Sequence, residues 1–151
     1  MYKTGTDIEK TERIKDAFEK IKNRVYTDGE LAYIESRGAG KFQTATGIFC
    51  AKEAFSKAIG TGITGFSLKD VEVGHSSHGR PYFSFSGKLS HFSADRFSLS
   101  ISHTEDIATA TVIFDGVFFH PEKRKYVLTS QMMKNADKAA AKALGSSLAL
   151  M

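Results

Sequence analysis

The sequence predicts an α+β fold, with helices first and an antiparallel sheet after them. Apolar residues recur at intervals of three and four in the first part of the chain, the spacing of helices with one buried face. The period then changes to two, most plainly where Phe97, Leu99 and Ile101 alternate with Ser98, Ser100 and Ser102. Connections between the segments are short, so successive elements pack as neighbours.

Tyr2–Ile8 reads as a short strand running into a helix. Ile14, Ala17 or Phe18, Ile21 and Val25 then place a helix over about Glu9–Tyr26. Its Lys20, Lys22 and Arg24 sit toward the C-terminal end, where cations complement the helix dipole. Thr27-Asp28 is the N-cap of a second helix through Ser36, and Gly38 and Gly40 mark a break. A third helix spans Lys41–Ile59, with Ile48, Ala51, Phe55 and Ile59 on one face and Cys50, Glu53, Ala54 and Lys57 on the next. Gly60-Thr61-Gly62 ends it. Val71–Val73 and Tyr82–Phe85 are short strands around the turn His75–Pro81. The strand from Phe97 pairs antiparallel with Ala108–Phe114 across His103–Asp106. Ser130–Leu144 forms a C-terminal helix with Met133, Ala136, Ala140 and Leu144 on one face.

A chain of 151 residues is most economically one domain with a substantial core. The apolar stretch near Ile107–Phe119 is too short and too polar for a bilayer span, being interrupted by Thr109, Thr111, Asp115 and Gly116. Asp7, Glu9 and Lys10 stand where a secretory signal would be apolar, and the single cysteine, Cys50, permits no internal disulfide. A cytoplasmic protein is expected. The net charge of +4 resides in residues 121–151, which hold Lys123, Arg124, Lys125, Lys134, Lys138 and Lys142 against Glu122 and Asp137. The first 120 residues are balanced, which argues against a basic nucleic-acid-binding body.

The most informative stretch is Phe49–Lys57, F-C-A-K-E-A-F-S-K. It projects Glu53 and Lys57 from one helix face, four residues apart. Alone, such a pair is a surface ion pair worth a few tenths of a kcal/mol. It does not stand alone. G-T-D-I lies at Gly5–Ile8, H-G-R-P-Y at His78–Tyr82 and S-I-S-H-T-E-D at Ser100–Asp106. In order and spacing these segments resemble the holo-acyl-carrier-protein synthases, the small phosphopantetheinyl transferases, over roughly residues 2–115.

The resemblance implies a phosphopantetheinyl transferase-like fold over residues 1–118, with residues 119–151 as a basic, helical C-terminal extension. It implies transfer of the 4′-phosphopantetheine arm of coenzyme A to a serine of apo acyl carrier protein, with release of 3′,5′-ADP. Mg²⁺ suits that chemistry, since carboxylate and diphosphate oxygens are hard ligands. By the same resemblance Asp7 and Glu53 bind the metal, and Lys57 neutralises phosphate charge in the transition state. The serine proton goes to Glu53 or to a metal-polarised water held by Asp7. Lys57, Gly60, Arg80, Pro81, His103 and Thr104 contact coenzyme A, His103 at the ribose phosphate and Arg80 and Pro81 at the adenosine end. Arg13, Lys20 and Arg24 form a basic patch for the acidic carrier. The family's small members are homotrimers with coenzyme A held between subunits.

Other residues have plainer readings. Lys52 is structural or on the surface, and Cys50 is a small buried residue and not a nucleophile. His75 and His78 have H-x-x-H spacing but lack the further ligands zinc needs. Arg80 replaces the lysine usual in the family's loop, Thr11 holds a usually apolar helix position, and Lys41-Phe42-Gln43-Thr44 matches only loosely. Ile48 stands where many members carry an arginine. Two rivals follow: a specialised or inactive relative that binds coenzyme A or carrier protein without transfer, and an RNA-binding module built on Tyr82, Phe83 and Phe85. The second lacks a complete ribonucleoprotein signature.

Overall fold

A computed structural model describes residues 2–116. Strand β1 (Tyr2–Lys10) leads into helices α1 (Thr11–Val25), α2 (Asp28–Ser36) and α3 (Lys41–Ile59). Strands β2 (Val71–His75), β3 (Pro81–Phe85), β4 (Phe97–His103) and β5 (Ile107–Asp115) follow. The α+β expectation holds. The helix expected at Ser130–Leu144 and the boundary at 118/119 fall outside the described residues.

The α2 N-cap is the one read from the sequence. The Thr27 hydroxyl accepts from Glu30 N at 3.2 Å, and the Glu30 carboxylate accepts from Thr27 N at 2.8 Å, a reciprocal capping box. Helix α3 stops at Gly60, whose φ of 78° is a left-handed conformation that glycine adopts without a Cβ penalty. One boundary differs from expectation. The first strand continues through Lys10, two residues past Ile8, and α1 begins at Thr11. Thr11 N donates to Asp106 O at 2.8 Å, which keeps the chain extended up to that point.

The strands form a three-stranded antiparallel sheet in the order β1-β5-β4 and a separate β2-β3 hairpin. Strand β1 is therefore an edge strand, in register with β5 through pairs such as Gly5 with Val112 and Asp7 with Ala110. Helix α3 crosses one face of this sheet. Its Gly47 lies against Ile101 of β4, the Cys50 thiol donates to Ala108 O of β5 at 3.4 Å, and Ala54 and Ala58 meet Gly5 of β1. Ile48, Phe55 and Ile59 are buried as their spacing predicts, and so is Cys50. Phe55 is the hub of an aromatic cluster, with Phe83, Phe85 and Phe97 centred 5.3–5.5 Å from its ring.

Lys52 is fully buried rather than on the surface, so the structural half of its reading holds. Its ammonium donates to Glu30 Oε2 at 2.7 Å, Val25 O at 2.7 Å and Leu68 O at 2.9 Å. The second Glu30 oxygen accepts from Val73 N at 2.7 Å. One ion pair thus joins α2, α3, β2 and the end of α1. Thr11, at the usually apolar position, is buried with its hydroxyl unpaired among the described residues.

Gly5 has a packing reason to be glycine. A Cβ there would overlap the Ala54 carbonyl oxygen and lie 2.6 Å from Ala58 N, so β1 and α3 touch backbone to backbone. Gly5→Ala is expected to force them apart. Overpacking of this kind costs roughly 1–3 kcal/mol, and displacing Asp7 by about 1 Å can cost on the order of a hundredfold in rate. Thermal melts alongside transfer rates would show it. A folded variant with full activity would mean that the close approach does not position Asp7.

Candidate active site

Alternation along β1 turns Gly5, Asp7 and Glu9 toward α3 and Thr4, Thr6 and Ile8 away from it. The four-residue step in α3 aims Glu53 and Lys57 at the same strand. Lys57 Nζ donates to Asp7 Oδ1 at 2.8 Å and to Thr6 O at 2.8 Å. The Thr109 hydroxyl donates to Asp7 O at 2.8 Å, fixing the strand at that residue. Asp7 lies 50 positions before Lys57 in sequence, yet Asp7, Glu53 and Lys57 are one cluster at the β1 edge of the sheet.

The electrostatics of the cluster come from partial burial of two carboxylates beside one ammonium. Burial raises the Glu53 pKa, Asp7 raises it further, and Lys57 and Arg13 act in the opposite direction. The hydrogen bond to Asp7 raises the Lys57 pKa, so its ammonium stays charged. The Cys50 thiol is pushed up to about 12 by burial and then by Asp7, so it remains protonated at neutral pH. Its reading as a buried residue without a nucleophilic role agrees with that.

The donor set fits a hard divalent cation. Among the described residues Glu53 makes no hydrogen bond or ion pair, and its carboxylate sits within electrostatic reach of Asp7. A cation between them would relieve the repulsion that raises Glu53. Among the described residues no three His, Cys, Asp or Glu side chains are grouped for a metal, so a cation held here would need water or substrate oxygens to complete its shell. The coupling itself can be tested. Asp7→Asn should move the Glu53 titration, followed by carboxyl ¹³C NMR, to lower pH, because it removes a neighbouring negative charge and frees Lys57. An unmoved titration would show that the two carboxylates do not share a site.

The other expected coenzyme contacts lie elsewhere. Pro81 and His103 line one groove beside the start of α3, at the β4 side of the sheet. Arg80 is in the exposed β2-β3 turn, where its N donates to the Ser76 hydroxyl. Thr104 holds the β4-β5 turn, donating from N to Ile107 O at 2.8 Å. Gly60 caps α3, its N–H bonding to Ser56 O and Lys57 O. Helix α3 thus runs from the groove, at Gly47 beside Ile101 of β4, to the carboxylate cluster, at Ala54 and Ala58 beside Gly5 of β1.

Arg13, Lys20 and Arg24, spaced by seven and four, fall on one stripe of α1. Arg13 and Lys20 line a shallow depression with Lys10, Glu12 and Asp16, and Arg13 is paired with Glu9. The stripe is therefore of mixed charge. The sequence reading missed three residues that share the groove with Pro81 and His103, namely Tyr33, Arg37 and His75. Tyr33 and His75 stack at 4.3 Å with 19° between the rings, and the Arg37 guanidinium lies 5.8 Å from the Tyr33 centroid. No local motif announces them, since they come from α2, its C-cap and β2.

Comparison with known proteins identifies the family. The family model of the 4′-phosphopantetheinyl transferase superfamily matches residues 3–112. The holo-[acyl-carrier-protein] synthase of Fusobacterium nucleatum is 44% identical over 116 residues, covering 72% of this chain and 94% of the relative. That of Verminephrobacter eiseniae is 43% identical over 122 residues, covering 75% and 92%. Among solved structures, the Bacillus anthracis holo-(acyl-carrier-protein) synthase in complex with CoA (3′,5′-ADP) superposes with a TM-score of 0.65 at 34% identity, covering 76% of this chain and 96% of that one. The Neisseria meningitidis enzyme gives a TM-score of 0.67 at 34% identity, covering 76% and 98%. With the Asp7-Glu53-Lys57 cluster in place and relatives matched over nearly their whole length, the chain belongs to the 4′-phosphopantetheinyl transferase superfamily and, within it, to the holo-[acyl-carrier-protein] synthases.

Proposed function

We propose that this chain transfers the 4′-phosphopantetheine arm of coenzyme A to a serine hydroxyl of an apo acyl carrier protein, in an Mg²⁺-dependent reaction. The observation that carries the reading is the convergence of Asp7, Glu53 and Lys57 on one edge of the sheet. The serine oxygen forms a bond to the β-phosphorus of coenzyme A, the bond from that phosphorus to the bridging oxygen breaks, and 3′,5′-ADP leaves. Phosphoryl transfer of this kind depends on positioning and charge neutralisation more than on covalent help.

Each protein group has a role in that scheme. Asp7 and Glu53 would hold Mg²⁺, which when bound neutralises diphosphate charge. Lys57, already fixed by Asp7, presents an ammonium to the transferring phosphate. The serine proton passes to Glu53 or to a water held beside Asp7, and the raised Glu53 pKa favours the first route. Pro81, His103 and Arg80 would hold the adenosine end, and the stripe at Arg13, Lys20 and Arg24 would receive the carrier's acidic helix.

A homotrimer accounts for the separation of the two residue sets, because one subunit's groove can face the next subunit's carboxylates. The sheet face turned away from α3 supports this. Tyr2, Ile8, Ile107 and Ile113 are exposed on it among serines and threonines. Among the described residues no helix is long and apolar enough to cross a membrane. The proposed setting is cytoplasmic fatty-acid synthesis.

Intact-mass spectrometry of apo acyl carrier protein incubated with the chain, coenzyme A and Mg²⁺ tests the reading. A gain of one phosphopantetheine that EDTA abolishes is the expected result. No gain with several carriers, from a folded assembly, would leave a binding relative without transfer.

A further inference from the structure

We propose that Glu9 is a specificity residue for the carrier: it occupies the Arg13 guanidinium in the free protein, and a carboxylate of the docking carrier replaces it there. The inference rests on the function proposed above and deepens it.

Glu9 stands where it does because β1 continues through Lys10. In that strand Glu9 is in register with Ala108 and shares the α3-facing side with Asp7. Its side chain is accordingly recessed, with 12% exposed. Glu9 Oε1 accepts from Lys10 N at 2.8 Å, and Glu9 Oε2 accepts from the Arg13 guanidinium in the first turn of α1.

Arg13 is placed differently. Its side chain is 74% exposed, and it lines the depression on α1 with Glu12, Asp16 and Lys20. Among the described residues Lys20 and Arg24, the other cations of the stripe, carry no ion pair. Arg13 is therefore the one cation of the three that is already taken. An incoming carboxylate can reach its exposed guanidinium, whose planar fork of donors matches two carboxylate oxygens. Glu9 keeps its bond from Lys10 N when Arg13 turns away, so the exchange strands no unpaired carboxylate.

The exchange makes docking a difference between two pairings. Both are partly exposed ion pairs, which sets the effect at a few-fold in affinity and makes it salt-dependent. A strongly acidic carrier replaces the Glu9 contact in full, while a weakly acidic one breaks it without an equal return. Glu9 and Arg13 also both lie within electrostatic reach of Glu53 and act on it in opposite senses. The exchange therefore takes place beside the reaction centre and not at a remote edge of the docking face.

The test is calorimetric titration of the intact protein with apo acyl carrier protein, in the absence of coenzyme A. Wild type, Glu9→Gln, Glu9→Asp, Arg13→Ala and the double variant Glu9→Gln/Arg13→Ala would be compared at low and moderate salt. Glu9→Gln should tighten carrier binding by about two- to fivefold, the scale of a partly exposed ion pair, and Arg13→Ala should weaken it. Glu9→Asp keeps the charge but withdraws the carboxylate by one methylene, so it should give part of the same gain. In the Arg13→Ala background Glu9→Gln should give no gain, and 3′,5′-ADP should bind every variant within about twofold of wild type. Equal gains with and without Arg13 would reduce Glu9 to a stray negative charge beside the docking face and overturn the proposal, as would no gain or a loss from Glu9→Gln. A carrier that binds none of these proteins would defeat the proposed function and this inference with it. Unchanged binding across the Glu9 variants, with the carrier bound, would defeat this inference alone.

Discussion

Lys52→Met is expected to destabilise the protein by roughly 3–5 kcal/mol, the usual result of leaving half of a buried ion pair. Without the ammonium, Glu30 keeps its donors from Val73 and Thr27 but loses its countercharge in a fully buried site. The carbonyls of Val25 and Leu68 lose their donor at the same time. Burial alone raises the Glu30 pKa and lowers that of Lys52, and their mutual attraction opposes both shifts. Charge attraction opposes the burial first and the hydrogen bonds between the two groups second. Urea unfolding of the single variants and of Glu30→Gln/Lys52→Met should show that the double change costs less than the sum of the two. A Lys52→Met midpoint close to wild type would mean that the network adds nothing to stability.

Glu53→Gln should lower transfer by about 10²–10⁴-fold, the scale for losing a positioned proton acceptor. It should also separate function from stability. A carboxyl whose pKa is raised by the fold binds its proton more tightly when folded, so its contribution declines as pH rises through 4.5 toward the raised value. At neutral pH without metal, the ionised Glu53 therefore opposes folding, and the glutamine variant should melt no lower than wild type. Mg²⁺ should raise the melting temperature of wild type by mass action and leave the variant unmoved. Equal Mg²⁺ stabilisation of both proteins would remove Glu53 from the metal site.

The helices and strands were legible because their periods and caps are local. Thr27 with Glu30, Gly60 after Ile59, and the Phe97–Ile101 alternation each declare themselves within a few residues. The cluster of Asp7, Glu53 and Lys57 was legible only through resemblance, since nothing local says that residue 7 meets residue 57. What escaped the sequence was produced by long-range packing. Lys52 reads as structural or exposed until Glu30 lies opposite it, and nothing beside Gly5 in the sequence tells that α3 lies against it. Tyr33, Arg37 and His75 meet only because the α2 cap brings that helix beside β2. The pairing of β1 with β5 was equally invisible, because alternation shows which face of a strand is buried but not which strand lies next to it.

That pairing has a consequence in time. Asp7 is made well before its partner strand, since Thr109, which fixes it, lies 102 residues further along the chain. During synthesis an N-terminal strand without its neighbour has no ladder to join, and contacts of such sequence separation form slowly. A nascent chain can therefore build its helices early, but Asp7 has no strand to hold it beside Glu53 until β5 has left the ribosome. Until then its unpaired β1 edge is open to association with other chains.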